Sequence, residues 1–177
     1  MSDGAERIPV TVTYLEMRQR PPCRPVPQPP GARLALMRAE RPTLAFYRYL
    51  YEGVGARWHW VDRRRLDDDA LLAIILDEAV EIYVLYVGGV PAGFAELDFR
   101  KAPAVADLAY FGLMPEFIGR GLGPYLLYWA VNEMWRRDPK RVTVNTCTLD
   151  HPSALAMYQK AGFRAYDRRQ VLFDPRV

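Results

Sequence analysis

Gly119, Gly121 and Gly123 stand at alternate positions between an apolar run at 108–114 and the start of a helical pattern. The chemistry this spacing suits is anion binding. Glycines let the backbone approach a bulky group with no Cβ in the way. The first turn of a helix adds unpaired N–H groups and a partial positive charge. Strand, glycine loop and helix N-terminus together make a seat for a phosphate or pyrophosphate. Glu96, Asp98 and Asp107 are a second set, carboxylates in otherwise apolar β-type runs. A carboxylate there is costly unless paired or functional, so Asp107 and Glu96 are candidate bases. For Glu96 and Asp98 together, a solvated strand face is the competing explanation. His59 and His151 titrate usefully near neutrality, although lone histidines are more often structural.

These groups need elements to hold them. Val10–Met17 is β-rich and partly alternating, a first strand. Prolines at 21, 22, 25, 27, 29 and 30 make residues 19–31 a stiff, exposed connector. Pro42-Thr43 opens a helix with Leu44, Tyr47, Leu50 and Tyr51 on one face, ending near Gly53 and Gly55. Trp58, His59 and Trp60 follow in a loop and either wall a substrate pocket or belong to the core. Asp67-Asp68-Asp69 begins a second helix through Leu76, its carboxylates favourable to the first turn. Ile82–Val87, Gly88-Gly89 and Val90–Phe99 read as a β-hairpin. Val105–Leu113 is the strand before the glycine loop. The helix beyond it carries Leu126, Leu127, Ala130, Val131 and Met134, and stops before Pro139. Arg141–Cys147 is another strand. Pro152 stands at the first position of a last helix that closes on Gly162. Two short strands follow, 163–166 and 170–173. The expected architecture is α/β (α+β), a mostly antiparallel mixed sheet of about seven strands with four helices.

The bulk properties narrow the function. With 177 residues, 50% hydrophobic and 25% charged, the chain suits one soluble domain spanning 1–177. A net charge of +3 without a basic patch argues against nucleic acid. Arg63-Arg64-Arg65 is answered at once by Asp67-Asp68-Asp69. Cys23 and Cys147 have no metal-ligand spacing, and Cys147 reads as a small buried hydrophobe. Neither a signal peptide nor a bilayer-length apolar run is present, so a cytoplasmic protein that avoids membranes is expected.

Two patterns together resemble the GNAT superfamily of acyl-CoA-dependent N-acyltransferases, over residues 10–173. The first is strand, then Ile118-Gly119-Arg120-Gly121-Leu122-Gly123, then helix, against the family's Gln/Arg-x-x-Gly-x-Gly/Ala. The second is His151-Pro152-Ser153-Ala154-Leu155-Ala156-Met157-Tyr158-Gln159-Lys160-Ala161-Gly162-Phe163. Ile118 stands where Gln or Arg is usual and His151 where Asn is usual, and Pro124 removes one N–H after the loop.

The resemblance implies an N-acetyltransferase moving an acetyl group from acetyl-CoA to a small-molecule or peptidic primary amine, with no metal. The same fold used as a non-catalytic acyl-CoA-binding regulatory module is the alternative. It implies a sheet splayed in the middle, where coenzyme A lies along Phe111, Gly112, Leu113 and Met114. Its pyrophosphate would meet Ile118, Gly119, Arg120, Gly121, Leu122, Gly123 and Pro124, with His151, Ala154 and Tyr158 touching it from the last helix. Gly112, inside a strand, marks a close backbone approach; pantetheine entry and relief of packing against an aromatic are its two explanations. Tyr158 matches the tyrosine that protonates the departing thiolate. Asp107 lies eleven residues before Ile118, the spacing of the glutamate base in members that acetylate histones. By strand alternation Asp107, Ala109, Phe111 and Leu113 share a face, which aims the carboxylate toward the cofactor edge. The Leu113 N–H is the natural donor to the thioester oxygen. Dimers are common in the family, so a homodimer is a further expectation.

Overall fold

The computed structural model describes residues 7–22 and 28–176; Cys23 lies outside them. Seven strands form one sheet in the order β2-β3-β4-β5-β6-β1-β7. They are β1 Ile8–Met17, β2 Leu34–Arg38, β3 Val80–Val87, β4 Val90–Asp98, β5 Ala106–Leu113, β6 Val142–Cys147 and β7 Arg164–Phe173. The helices are α1 Leu44–Gly55, α2 Asp68–Ile75, α3 Leu122–Trp135 and α4 Ala154–Ala161. Every strand pair is antiparallel except β5–β6.

Capping chemistry sets the helix starts. The Thr43 side chain accepts from the Phe46 N–H and the Asp67 side chain from the Ala70 N–H, each satisfying one otherwise unpaired first-turn donor. The β3–β4 hairpin turns at Gly88 and Gly89, with φ of 58° and 86°, as a type I′ turn requires.

The helices cover opposite faces of the sheet. Tyr47, Leu50, Tyr51 and Val54 of α1 pack with Leu71 and Ile75 of α2 against Ile82, Val84 and Phe94. On the other face Leu126, Leu127, Ala130 and Met134 of α3, with Tyr158 and Ala161 of α4, cover Leu85, Ala95, Leu97, Leu108 and Val144.

The sheet has the expected number of strands, seven, but not the same seven. β2 is a strand the sequence pattern did not show, and the two short strands expected after Phe163 are one, β7. The last helix starts at Ala154; Pro152 sits in the preceding turn, where His151 Nδ1 accepts from the Ser153 N–H at 3.1 Å.

Candidate active site

β5 and β6 pair only at Ala106–Val142 and Asp107–Thr143, and then diverge. The splay opens a cleft of about 810 Å³ that runs from the glycine loop to β1 and β7. One edge of β5 faces it. The Met114 N–H donates to Ala92 O at 2.8 Å, on the β4 side. Backbone groups alternate along a strand, so the N–H and C=O of Leu113 and Phe111 open on the cleft side.

A β-bulge changes which side chains follow. Glu96 pairs with Tyr110 but Leu97 with Leu108, which leaves Ala109 as an extra residue in β5. Ala106 and Leu108 therefore join the α3 face before the bulge, and Phe111 and Leu113 join it after. Asp107 falls with Tyr110 on the α1 face. The shared face expected for Asp107, Phe111 and Leu113 does not exist, because one inserted residue inverts the alternation. Asp107 instead accepts a hydrogen bond from the Thr143 hydroxyl at the closed apex of the splay, and burial raises its pKa above the ordinary carboxylate value. It does not border the cleft.

Glu96 is also withdrawn. It is 0% exposed, accepting from the Tyr47 hydroxyl at 2.5 Å and pairing with Arg63 at 2.5 Å. This buried pair ties α1 and the loop after it to β4. Asp98 is occupied by Arg100 at 2.6 Å.

Gly112 is explained by packing. A Cβ there would lie 2.5 Å from Val54 Cγ1, so its missing side chain lets α1 close on the sheet. The tight neighbour is an α1 valine; the aromatic the sequence suggested is Trp60, 3.8 Å from the same position. The Gly112 backbone still borders the cleft.

At the mouth of the splay Gly121, with φ of 74°, precedes the first turn of α3, and no side chain caps that turn. Gly119 is also left-handed, with φ of 82°. The amides of 119–123 are thus available to an anion, and Pro124 ends the run because it has no N–H. Pro29, where the connector returns toward β2, stands 3.9 Å from the place a Gly121 Cβ would take. Ile118 is exposed and borders the cleft with Gly119, Gly121, Gly123 and Pro124.

Tyr158 lies across from β5, 5% exposed, its ring edge-on to Phe111 and Phe163 at 6.1 Å each. It borders the cleft, and among the described residues its hydroxyl has no hydrogen-bond partner. Burial first, and then the charge of Asp150, push its pKa far up. The phenol stays protonated over the whole working pH range.

Of the residues expected to contact cofactor, His151 and Ala154 also border the cleft, as do Phe111, Gly112 and Leu113. Three side chains do not. Met114 packs under α1 beside Gly53, Leu122 is buried on the sheet side of the first turn of α3, and the Arg120 guanidinium lies 5.1 Å from the Phe117 ring centre. Leu122 and Arg120 offer only their backbones, and Met114 not even that, since its N–H donates to Ala92 O and its C=O accepts from the Phe117 N–H.

Asp62 and Asp150, also in the walls, were not picked out from sequence. Asp62, exposed, stands 3.5 Å from the Tyr110 hydroxyl. Asp150 accepts from the Thr146 hydroxyl at 2.7 Å and the Cys147 N–H at 2.8 Å. Cys147 is half-buried and faces the cleft, not the core as its apolar strand suggested; burial and then Asp150 raise its thiol pKa. Trp58 and Trp60 are half-buried and border the cleft, while Trp60 also packs on the α1 cluster. Both readings of that loop hold in part. A lone acid closing the aromatic run Trp58-His59-Trp60-Val61-Asp62 was the available signal.

Comparison with known proteins agrees with this geometry. The model of the acetyltransferase (GNAT) family matches residues 41–163. The chain belongs to the GNAT acetyltransferase family. β1, β2 and β7 lie outside that match. No curated protein matches the chain in sequence. Among solved structures, a GCN5-related N-acetyltransferase from Sphaerobacter thermophilus superposes with a TM-score of 0.64 at 18% identity, covering 92% of this chain and 51% of that one. The aminoglycoside N-acetyltransferase AAC(6')-Iy in complex with CoA gives 0.55 at 20% identity, covering 83% and 97%. An aminoglycoside acetyltransferase from an uncultured soil metagenomic sample gives 0.58 at 14%, covering 73% and 87%. At these identities the likeness is one of fold. The chain spans 60%, 51% and 63% of three of the solved structures it matches. Among the described residues no helix is long and apolar enough to cross a membrane, and no three His, Cys, Asp or Glu side chains are grouped to hold a metal.

Proposed function

We propose that the protein transfers an acetyl group from acetyl-coenzyme A to a primary amine. The observation that carries this reading is the splay itself. A strand edge with free amides leads from the uncapped start of α3 to an unpartnered tyrosine hydroxyl. The site fits the cofactor by shape and by donor type. Backbone amides of 119–123 meet a pyrophosphate, and Phe111 and Leu113 meet the amides of the pantetheine arm as an added strand would. His151 and Ala154 line the opposite wall.

When bound, acetyl-coenzyme A supplies a thioester carbonyl and a sulfur leaving group. With the Leu113 N–H given to the pantetheine arm, the Phe111 N–H, farther from the glycine loop on the same free edge, is the donor for the carbonyl oxygen, where charge develops. Tyr158 acts as the acid, donating to the departing sulfur. Its raised pKa exceeds the ~8.5 of a free thiol, so its contribution is a hydrogen bond in the transition state, with the final proton balance settled by solvent. An alkylamine of pKa ~10.4 is only about 0.1% neutral near pH 7.4, so the acceptor must shed a proton before attack. Neither Asp107 nor Glu96 borders the cleft, and we assign that proton to water in the open mouth. Asp107 then serves as a positioning residue, closing β5 onto β6 through Thr143.

The test is release of free thiol from acetyl-CoA over a panel of amines. Amine-dependent release supports the reading. Saturable acetyl-CoA binding with no release under any amine would return the chain to a non-catalytic acyl-CoA-binding role.

A further inference from the structure

The acceptor end of the cleft is built from flat apolar side chains beside a carboxylate, Asp62, that has no ion-pair partner among the described residues. Trp58, Trp60, Tyr51 and Tyr110 border it, and Asp62 stands exposed at its mouth, 3.5 Å from the Tyr110 hydroxyl. Two nearby charges are engaged elsewhere. Arg63 pairs with Glu96 and lies 5.0 Å from the centre of the Tyr110 ring. Asp150 is engaged by Thr146 and the Cys147 N–H.

Two aromatic contacts also cross the cleft. Trp58 meets His151 with ring centres 5.3 Å apart, and His59 meets Phe173 at 6.2 Å. They tie the loop after α1 to the entry of α4 and to the end of β7, which narrows the space. A polycationic sugar would have to break both contacts and leave ammonium groups and hydroxyls against apolar walls, which is costly without partners. One ammonium on a flat apolar body meets what is present: a carboxylate, ring faces that attract cations and apolar surface.

Resting on the acetyl-transfer reading, we propose that the acceptor is a monocationic primary amine carrying a flat apolar group. Its ammonium sits at Asp62 and its flat group lies against Trp58 and Trp60.

Two readouts test this on the full chain. Tryptophan fluorescence reports amine binding, and thiol release reports transfer, with 2-phenylethylamine, spermidine and kanamycin as probes. The expected result is saturable quenching by 2-phenylethylamine, weakened at least about tenfold in Asp62→Asn. Its kcat/KM should exceed that of kanamycin by at least about a hundredfold. Asp62 is exposed, so the variant should keep the wild-type Tm. Tighter binding of kanamycin or spermidine, or an Asp62→Asn affinity equal to wild type, overturns the proposal. Quenching by 2-phenylethylamine that depends on Asp62, with no thiol release from any amine, supports this acceptor site and sinks the transfer reading instead.

Discussion

Replacing Tyr158 with phenylalanine isolates one hydroxyl. The ring is 5% exposed and wedged between Phe111 and Phe163, and phenylalanine keeps that packing. Among the described residues the hydroxyl has no protein partner, so folding loses no hydrogen bond. The hydroxyl opens on the cleft and is not a buried orphan, so its removal neither strands nor relieves a polar group. The variant should therefore melt close to the wild-type temperature. Its loss should appear in catalysis alone. A positioned hydrogen bond to charge developing in the transition state contributes about 10²–10³-fold, which at 1.36 kcal/mol per decade is about 2.7–4.1 kcal/mol of transition-state stabilisation. Steady-state thiol release should show kcat and kcat/KM for amine falling together by that factor, with acetyl-CoA affinity from calorimetry unchanged. A loss under about threefold would refute the role assigned to the hydroxyl. A lowered Tm would show that the hydroxyl is structural.

Three further outcomes follow from the same geometry. Asp107→Asn keeps an acceptor for the Thr143 hydroxyl, so kcat/KM should fall by less than about threefold with the pH–rate profile unmoved; a hundredfold loss that removes the limb rising with pH would restore Asp107 as the base. Gly112→Ala places a Cβ 2.5 Å from Val54 Cγ1 and should cost about 1–3 kcal/mol of stability by overpacking, recovered in part by Val54→Ala; a denaturant titration in which the two losses simply add would contradict the contact. Tyr47, Tyr110 and Tyr158 all have pKa values raised chiefly by burial. Above pH ~10 the unfolded chain ionises these phenols while the folded chain keeps their protons, so the stability they carry is full below that pH and is lost above it. The slope is about 1.4 kcal/mol per pH unit for each tyrosine, and a melting curve flat from pH 9 to pH 11.5 would contradict their burial.

The parts legible from sequence were those with local chemistry. Thr43 and Asp67 announced helix starts, Gly88-Gly89 a hairpin, and Gly121 and Gly162 the left-handed residues flanking α3 and α4. What escaped depended on distant partners. β2 is an edge strand of five residues, mostly exposed and barely alternating, and it exists because β3 pairs with it. β7 looked interrupted at Asp167-Arg168-Arg169, yet β1 pairs across those residues and takes up the irregularity with a register shift at Tyr14/Leu15. β1 itself lies between β6 and β7, a placement no local pattern specifies. The site shows the same division. The glycine loop and Tyr158 border the cleft, as their motifs suggested. Asp107 was misdirected by the single extra residue Ala109, which has no composition of its own to betray a bulge. Asp62 had only a weak local signal, and its setting depends on α1 and β5 bringing Tyr51, Trp60 and Tyr110 together, with the Tyr110 hydroxyl 3.5 Å from its carboxylate.

The most direct test of the acyl-CoA cleft is a crystal structure of the full chain with coenzyme A. The pyrophosphate oxygens should lie about 2.7–3.2 Å from the amides of 119–123, with the pantetheine arm paired to Phe111 and Leu113 and its sulfur beside the Tyr158 hydroxyl. Coenzyme A bound elsewhere, or a β5 edge left unpaired beside it, would contradict the account.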